Sequence, residues 1–152
     1  MLFLLFRLGK DRYAIEAKRV VEVLPMLAAK QIPQAPPAVR GVFDFRGQPV
    51  PLVDLSQMAL GRPAREQLST RIVLVDYPDG RGGTRLLGLL AEQVTETLRR
   101  NPEEFPDSGV ELPDAPWLGP VASDPGGLVQ RIDVAQLLTP DVRALLFPAQ
   151  AA

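Results

Sequence analysis

The sequence predicts a mainly β protein built as two small lobes, with short helices and a C-terminal helix. Three observations lead there. Short extended runs rich in Leu, Val, Ile and Phe recur along the chain, separated by turn residues such as Gly9, Gly47, Gly80 and Gly126. Helical spacing of apolar residues is confined to brief stretches. Finally, Val53-Asp54-Leu55-Ser56-Gln57 rhymes with Ile132-Asp133-Val134-Ala135-Gln136, each closing a strand that follows a turn, as in two similarly built lobes that each end in a capped helical turn.

Leu2, Leu4, Phe6 and Leu8 share one face of an extended segment. Gly9-Lys10-Asp11-Arg12 turns it, and Tyr13 and Ile15 alternate with Ala14 and Glu16, which makes a hairpin with a buried face. Ala17, Val20, Val21 and Leu24 recur at helical spacing and predict a short helix ended by Pro25, with Glu22 pointing away from the apolar stripe. Gly41 to Asp54 predicts a second hairpin. With Gly47-Gln48 as its two-residue turn and Gly47 at positive φ, Phe45 faces Val50 and Phe43 faces Leu52 on one apolar face. Asp44 and Arg46 then project from the other face beside Pro49 and Pro51, rings that favour an edge strand over Pro49 to Val53.

Asp54 is placed to cap a helix over Leu55 to Leu60, with Gln57 three residues on and Gly61 as its stop. Residues 61 to 70 read as the connection between halves, which puts lobe 1 at about 14–70 and lobe 2 at about 71–135, the terminal segments completing both within one compact unit. Arg71 to Tyr77 and Arg85 to Leu90 form a hairpin around a glycine-rich loop, and Gln93 to Leu98 are compatible with an extension of its second strand. Residues 101 to 120, with five prolines and several acids, predict an ordered loop. A last short hairpin turns at Asp124 to Gly127; Asp133 caps a helical turn, and Thr139-Pro140-Asp141 starts a helix that buries Val142, Leu145 and Leu146.

Composition narrows the function. With 17 Lys and Arg against 18 Asp and Glu there is no chain-wide positive field to attract a phosphate backbone, so nucleic acid is not an expected partner. The chain has neither His nor Cys, which removes disulfides, thiol nucleophiles, Ser-His and Cys-His pairs and imidazole ligands. No cofactor or metal is expected. No window approaches the ~20 apolar residues of a membrane span, and Leu2 to Phe6 lacks the basic start of a signal peptide, so a cytoplasmic protein without direct membrane insertion is expected.

Asp76 at a strand end lacks the acidic pair and later lysine of a phospho-receiver, and Gly80-Arg81-Gly82-Gly83 lacks the lysine and following helix of a phosphate loop. Asp54 and Asp133 could be offered as an acid-base pair, but capping explains both together with Gln57 and Gln136. Arg46 departs from an inert surface charge because it neighbours a glycine-forced turn and shares its face with apolar rings, a mixture suited to protein binding. Two rival readings remain open at this point, a small β-barrel enzyme and a nucleic-acid-binding module.

The ordered series Tyr13-Ala14-Ile15, Val20-Val21-Glu22-Val23-Leu24, Ile32-Pro33, Gly41-Val42-Phe43-Asp44-Phe45-Arg46-Gly47 and Val50-Pro51-Leu52-Val53-Asp54-Leu55, continued by Gly88 to Leu98 and the Asp133 segment, resembles the CheW-like family of chemotaxis coupling proteins. The resemblance implies two SH3-like five-stranded β-barrel lobes and a non-enzymatic scaffold. Its implied partners are the cytoplasmic tip of a methyl-accepting chemotaxis receptor and the regulatory domain of a CheA-like histidine kinase, in arrays at the inner membrane. Positions matching the family's receptor-binding residues are Val20, Glu22, Gly41, Arg46, Gly88 and Val94, with Gly47, Asp54 and Asp133 in structural roles. The chain departs from the family where Asp44-Phe45 replaces Asn-Leu, where Ala91-Glu92 replaces Val-Asp, and where Gln130-Arg131 replaces an apolar pair.

Overall fold

The computed structural model describes residues 1–101, 103, 105 and 114–148. Its strands are β1 (Leu2–Leu8), β2 (Asp11–Glu16), β3 (Val20–Pro25), β4 (Val39–Phe45), β5 (Gln48–Asp54), β6 (Arg71–Pro78), β7 (Thr84–Arg99), β8 (Leu118–Asp124) and β9 (Gly127–Ile132), with helices α1 (Leu55–Leu60) and α2 (Pro140–Leu146). One lobe has the strand order β3-β6-β7-β5-β4 and the other β7-β1-β2-β9-β8. Strand β7 belongs to both. Its first half pairs β6 and β5, its second half pairs β1, and it bends between them where Gln93 takes a left-handed φ of 49°. The boundary between lobes therefore runs through β7 and not through residue 70, and the N-terminal hairpin completes the second lobe. Each lobe counts five strands among the described residues.

The strands bury two faces because three cores stack. Phe43, Val50, Leu52, Ile72, Leu74 and Leu90 fill the first lobe, and Phe3, Leu5, Ala14, Phe105, Ala122 and Val129 fill the second. Between them lies the largest cluster, with Phe6, Leu8, Ile15, Val73, Val75, Leu87 and Leu89 packed against Trp117, Ile132, Leu138 and Phe147. Alternating residues of β1 and β6 thus feed different cores. The single buried face expected for the first hairpin becomes two. Gly88 sits in β7 under the Phe43 ring, where a Cβ would lie 2.6 Å from Phe43 Cε1, so only glycine allows that ring to close the first core.

Three local expectations are overturned. Residues 17–24 are not a helix: a 3₁₀ turn at Ala17–Arg19 leads into β3, where Val20, Glu22 and Leu24 face inward and Val21 and Val23 outward. The three β-branched valines fit a pleated strand better than a helix, and pairing to β6 decides the matter. The β4–β5 turn is Arg46-Gly47, not Gly47-Gln48, because both residues take positive φ (51° and 86°) as a type I′ turn requires. Phe43 therefore faces Val50, Gly41 faces Leu52 and Phe45 faces Gln48, although the apolar face keeps its members. Nor is β5 the edge. It lies between β4 and β7, and its pairing with β7 begins at Leu52, beyond both prolines.

The start of α2 follows expectation, but the burial expected of Leu145 does not. Thr139 caps α2 through its Oγ1, with Pro140 at the first helical position; Leu146 is buried and Val142 half-buried, whereas Leu145 is exposed. Strand β8 starts at Leu118, and most of the loop expected over 101–120 lies outside the described residues.

Buried polar groups tie the connections down. Asp54, fully buried, accepts hydrogen bonds from the backbone N–H of Ser56 (2.9 Å), Gln57 (3.2 Å) and Ala64 (2.9 Å), and Arg40 Nη1 lies 3.4 Å from its Oδ2. Glu92 accepts from Ser56 Oγ (3.1 Å) and from the Arg65 N–H (3.2 Å), which accounts for a carboxylate longer by one methylene at this point of β7. Asp133 caps a 3₁₀ turn at Val134–Gln136 by accepting the Ala135 N–H at 3.2 Å. The Tyr77 hydroxyl donates to Ala135 O (3.3 Å) and accepts the Leu138 N–H (3.1 Å), and burial raises its pKa. Gln130 and Arg131 are not misplaced in a core: Gln130 Nε2 donates to Gly119 O at 3.0 Å, and Arg131 pairs with Glu16 over the Phe3 ring.

These contacts set two expectations. Tyr77→Phe strands the buried Leu138 N–H and lowers stability by about 1–3 kcal/mol in urea unfolding; a change within error removes this link between β6 and the C-terminal segment. Asp54→Asn must give up one of its charge-assisted contacts and costs about 1–3 kcal/mol, whereas Asp133→Asn keeps its cap and costs only a few tenths of a kcal/mol. Equal losses at the two positions contradict the different surroundings described above.

Candidate functional site

The β4–β5 turn projects Arg46 away from the first lobe, and four features hold it. Asp44 Oδ1 accepts the Gly47 N–H at 2.7 Å, closing the loop beneath the turn. Both turn residues occupy left-handed φ, uncommon for arginine and easy for glycine. The Arg46 guanidinium lies over the Phe45 ring, 4.8 Å from its centroid. Arg46 Nη2 donates to Glu22 Oε1 at 2.9 Å, although 73 % of the Arg46 side chain remains exposed. A pair so exposed adds little to stability, so its consequence is orientation: the guanidinium is held in one plane with its other N–H groups facing solvent.

The six candidate residues do not form one surface. Val20, Glu22 and Arg46 are accessible to differing degrees, but a bulge between Val20 and Glu22 turns Val20 toward the central core with Val75 and Glu22 to the other face with Leu74. Gly41, Gly88 and Val94 are buried. Gly41 closes a bulge in β4 at φ 137°, where a Cβ would sit 2.1 Å from Lys30 O; its missing side chain lets Lys30 and Val42 exchange two backbone hydrogen bonds (2.8 and 2.9 Å). The close backbone approach that Gly41 permits is made within the chain. Val94 is 1 % exposed, and its backbone donates to Ser69 O (3.0 Å) and accepts from Arg71 Nη1 (2.8 Å). These three shape the lobes from inside.

The family resemblance sets Glu22 and Arg46 on one receptor face, but their direct pairing could not be read from the chain, because a helical reading of 17–24 gives no direction toward the β4–β5 turn for Glu22. Sequence reasoning also missed Phe45 and Asp44 as supports of Arg46. The available signal was their adjacency to a turn that needs an Asp to close it and a ring to carry a cation.

The described residues of this face offer binding groups. Asp54 and Asp133 are engaged in separate caps. No group of three or more metal-ligating side chains occurs among the described residues. The glycine-rich loop after β6 is occupied by its own acid: Asp79 Oδ1 accepts the N–H groups of Arg81 (2.7 Å) and Gly83 (3.2 Å), and those bonds, the Arg81 bond foremost, lower the Asp79 pKa. Among the described residues no helix is long and apolar enough to cross a membrane.

Comparison with known proteins agrees with this description. A model of the CheW-like domain matches residues 2–141. The chemotaxis protein CheW of Klebsiella aerogenes is 25% identical over 147 residues, covering 95% of this chain and 85% of that protein. CheW of Helicobacter pylori is 30% identical over 98 residues, 64% of this chain and 56% of that protein, so the chain spans just over half of that relative. Protein FrzA of Myxococcus xanthus is 31% identical over 100 residues, covering 66% and 59% of the two chains. The crystal structure of the scaffolding protein TtCheW from Thermoanaerobacter tengcongensis aligns with a TM-score of 0.74 at 20% identity, over 88% of this chain and 84% of that one, and shows that the mainly β, SH3-like fold is shared. On the match spanning residues 2–141, the chain belongs to the CheW-like domain family.

Proposed function

We propose that this chain is a non-enzymatic adaptor in chemotaxis-type signalling that couples methyl-accepting receptors to a CheA-like histidine kinase, working in the cytoplasm at receptor arrays on the inner membrane. The observation that carries this reading is the family match over residues 2–141; relatives named CheW and FrzA support it. Coupling of this kind needs surfaces and not chemistry: the adaptor holds two partners in one geometry, so that movement in one changes the packing presented to the other.

In this reading the receptor face is the β4–β5 turn with β3. Arg46 supplies a planar set of donors to a carboxylate or carbonyl on the receptor tip and Glu22 holds that plane, while Val20, turned to the central core, acts by anchoring the start of β3. Gly41, Gly88 and Val94 act on the face indirectly, through the position of β4 and the bend in β7. The domain is read as one functional unit with two lobes, because the central core joins them.

The test is a binding titration of the purified protein with the cytoplasmic tip of its receptor. Arg46→Glu is expected to leave the fold intact by circular dichroism and to weaken binding about tenfold or more, since it reverses an exposed charge at the proposed contact. Arg46→Lys, which keeps the charge without the fork, is expected to fall between the two. Wild-type affinity in Arg46→Glu removes the turn from the receptor face, and absence of any receptor or kinase binding by the wild type removes the coupling function itself.

A further inference from the structure

Three arginines gather where the β6–β7 loop meets α2. Arg81 Nη2 donates to Phe147 O at 3.0 Å, at the C-terminal end of the helix. The Arg85 guanidinium lies 5.4 Å from the centroid of the same Phe147 ring. Arg143, in the last turn of α2, lays its guanidinium face-on against Gly80, where a Cβ would stand 3.5 Å from its Cζ and 3.6 and 3.7 Å from its two Nη atoms. None of the three is paired with an acid among the described residues. The acids nearby are committed elsewhere. Asp79 accepts the Arg81 and Gly83 N–H groups, Asp133 accepts the Ala135 N–H, and Asp141 stands at the opposite end of α2. Asp76 points to the other face of β6 from Tyr77, on which Phe147 stacks.

Capping of the helix end accounts for one of these cations, since Arg81 alone donates to a terminal carbonyl. Arg85 and Arg143 form no hydrogen bond among the described residues. Long cations on an open surface are ordinarily mobile, but these are held by a carbonyl, a ring and a backbone plane, so part of the side-chain entropy that binding costs is already lost. Their field is felt locally: the Asp79 pKa is lowered by the Arg81 N–H first, and by the charges of Arg81 and Arg85 in addition. The shape of the corner then selects among anions. Arg81, Gly82, Gly83 and Thr84 are exposed, and Gly80, Gly82 and Gly83 lack side chains, so an extended chain can lie along the loop backbone. The guanidinia rest on three separate anchors and do not close on one point, as a compact phosphate in a pocket needs. A row of carboxylates along a peptide matches them, each taking one planar fork.

We propose that this corner binds an acidic segment of a partner protein, with Asp or Glu side chains of that segment on Arg81, Arg85 and Arg143. The site uses neither Arg46 nor Glu22, so it does not rest on the receptor reading.

Fluorescence anisotropy of a labelled peptide of about ten residues, alternating Glu and Ser, with the intact chain at about 50 mM salt tests this where screening is weak. Saturable binding with a Kd below about 1 mM is expected, weakened about tenfold or more at about 500 mM salt. Arg85→Gln/Arg143→Gln, which keeps the Arg81 cap, is expected to lose about tenfold or more in affinity with unchanged circular dichroism. Lys10→Gln/Arg62→Gln/Arg99→Gln, a larger change of charge at exposed positions elsewhere, is expected to bind as the wild type does. In the unaltered protein the amide resonances of Gly80 to Gly83 are expected to shift on titration, which locates the site without any substitution. Absence of saturable binding, a double variant that binds as the wild type does, equal losses in the two variants, or shifts centred elsewhere overturn the proposal. So does tighter binding through the same arginines of phosphatidylserine vesicles or of inorganic pyrophosphate, which assigns the corner to a membrane surface or to a compact phosphate.

Discussion

One strand carries the architecture. The sixteen residues of β7 serve first as a central strand of one lobe and then as an edge partner of β1 in the other, so neither sheet can shift without the other. The bend at Gln93 lets a single run of backbone satisfy two pairing directions. Its inward side chains, Leu87, Leu89, Ala91 and Val94, all enter the shared core. That core explains why β1 and β6 are apolar on both faces: each separates a lobe's own interior from the common one.

Against this rigid frame the functional turn is built from local chemistry. An aspartate closes the β4–β5 loop, a ring underlies the guanidinium, and a glutamate on a neighbouring strand orients it. None of these contacts contributes much to stability at such exposure, and all of them narrow the orientations open to Arg46. The departure of Asp44-Phe45 from the usual family residues is thus a change in how the arginine is supported. At Glu92 the departure serves the frame, since its carboxylate reaches both α1 and the 61–70 connection.

Much of this was legible in the sequence, and the misses share a cause. Glycine-turned hairpins, the caps at Asp54 and Asp133 and the Thr139-Pro140 helix start could be read because their signals are local: a side chain bonds a backbone group two or three residues away. Residues 17–24 could not. Their apolar spacing fits a helix, and only pairing with β6, some fifty residues distant, makes them a strand. The turn at Arg46-Gly47 was displaced by one residue because arginine in a left-handed conformation is a poor local bet, rescued by Asp44. Membership of β7 in two sheets, and with it the true lobe boundary, has no local signature at all.

The order in which strands are paired bears on synthesis. Residues 20–91 hold every strand segment of the first lobe, so that half can close as soon as it leaves the ribosome. The β1–β2 hairpin emerges before all of it, yet Arg12 to Ala14 find Val129 to Arg131 only after more than a hundred further residues are made. At elongation rates of about 5–20 residues per second that interval is on the order of ten seconds, during which Phe3 and Leu5 lack their final cover. The nascent chain thus carries an unfinished, sticky hairpin for most of the translation of this domain, and this is the stage at which a chaperone has most to protect.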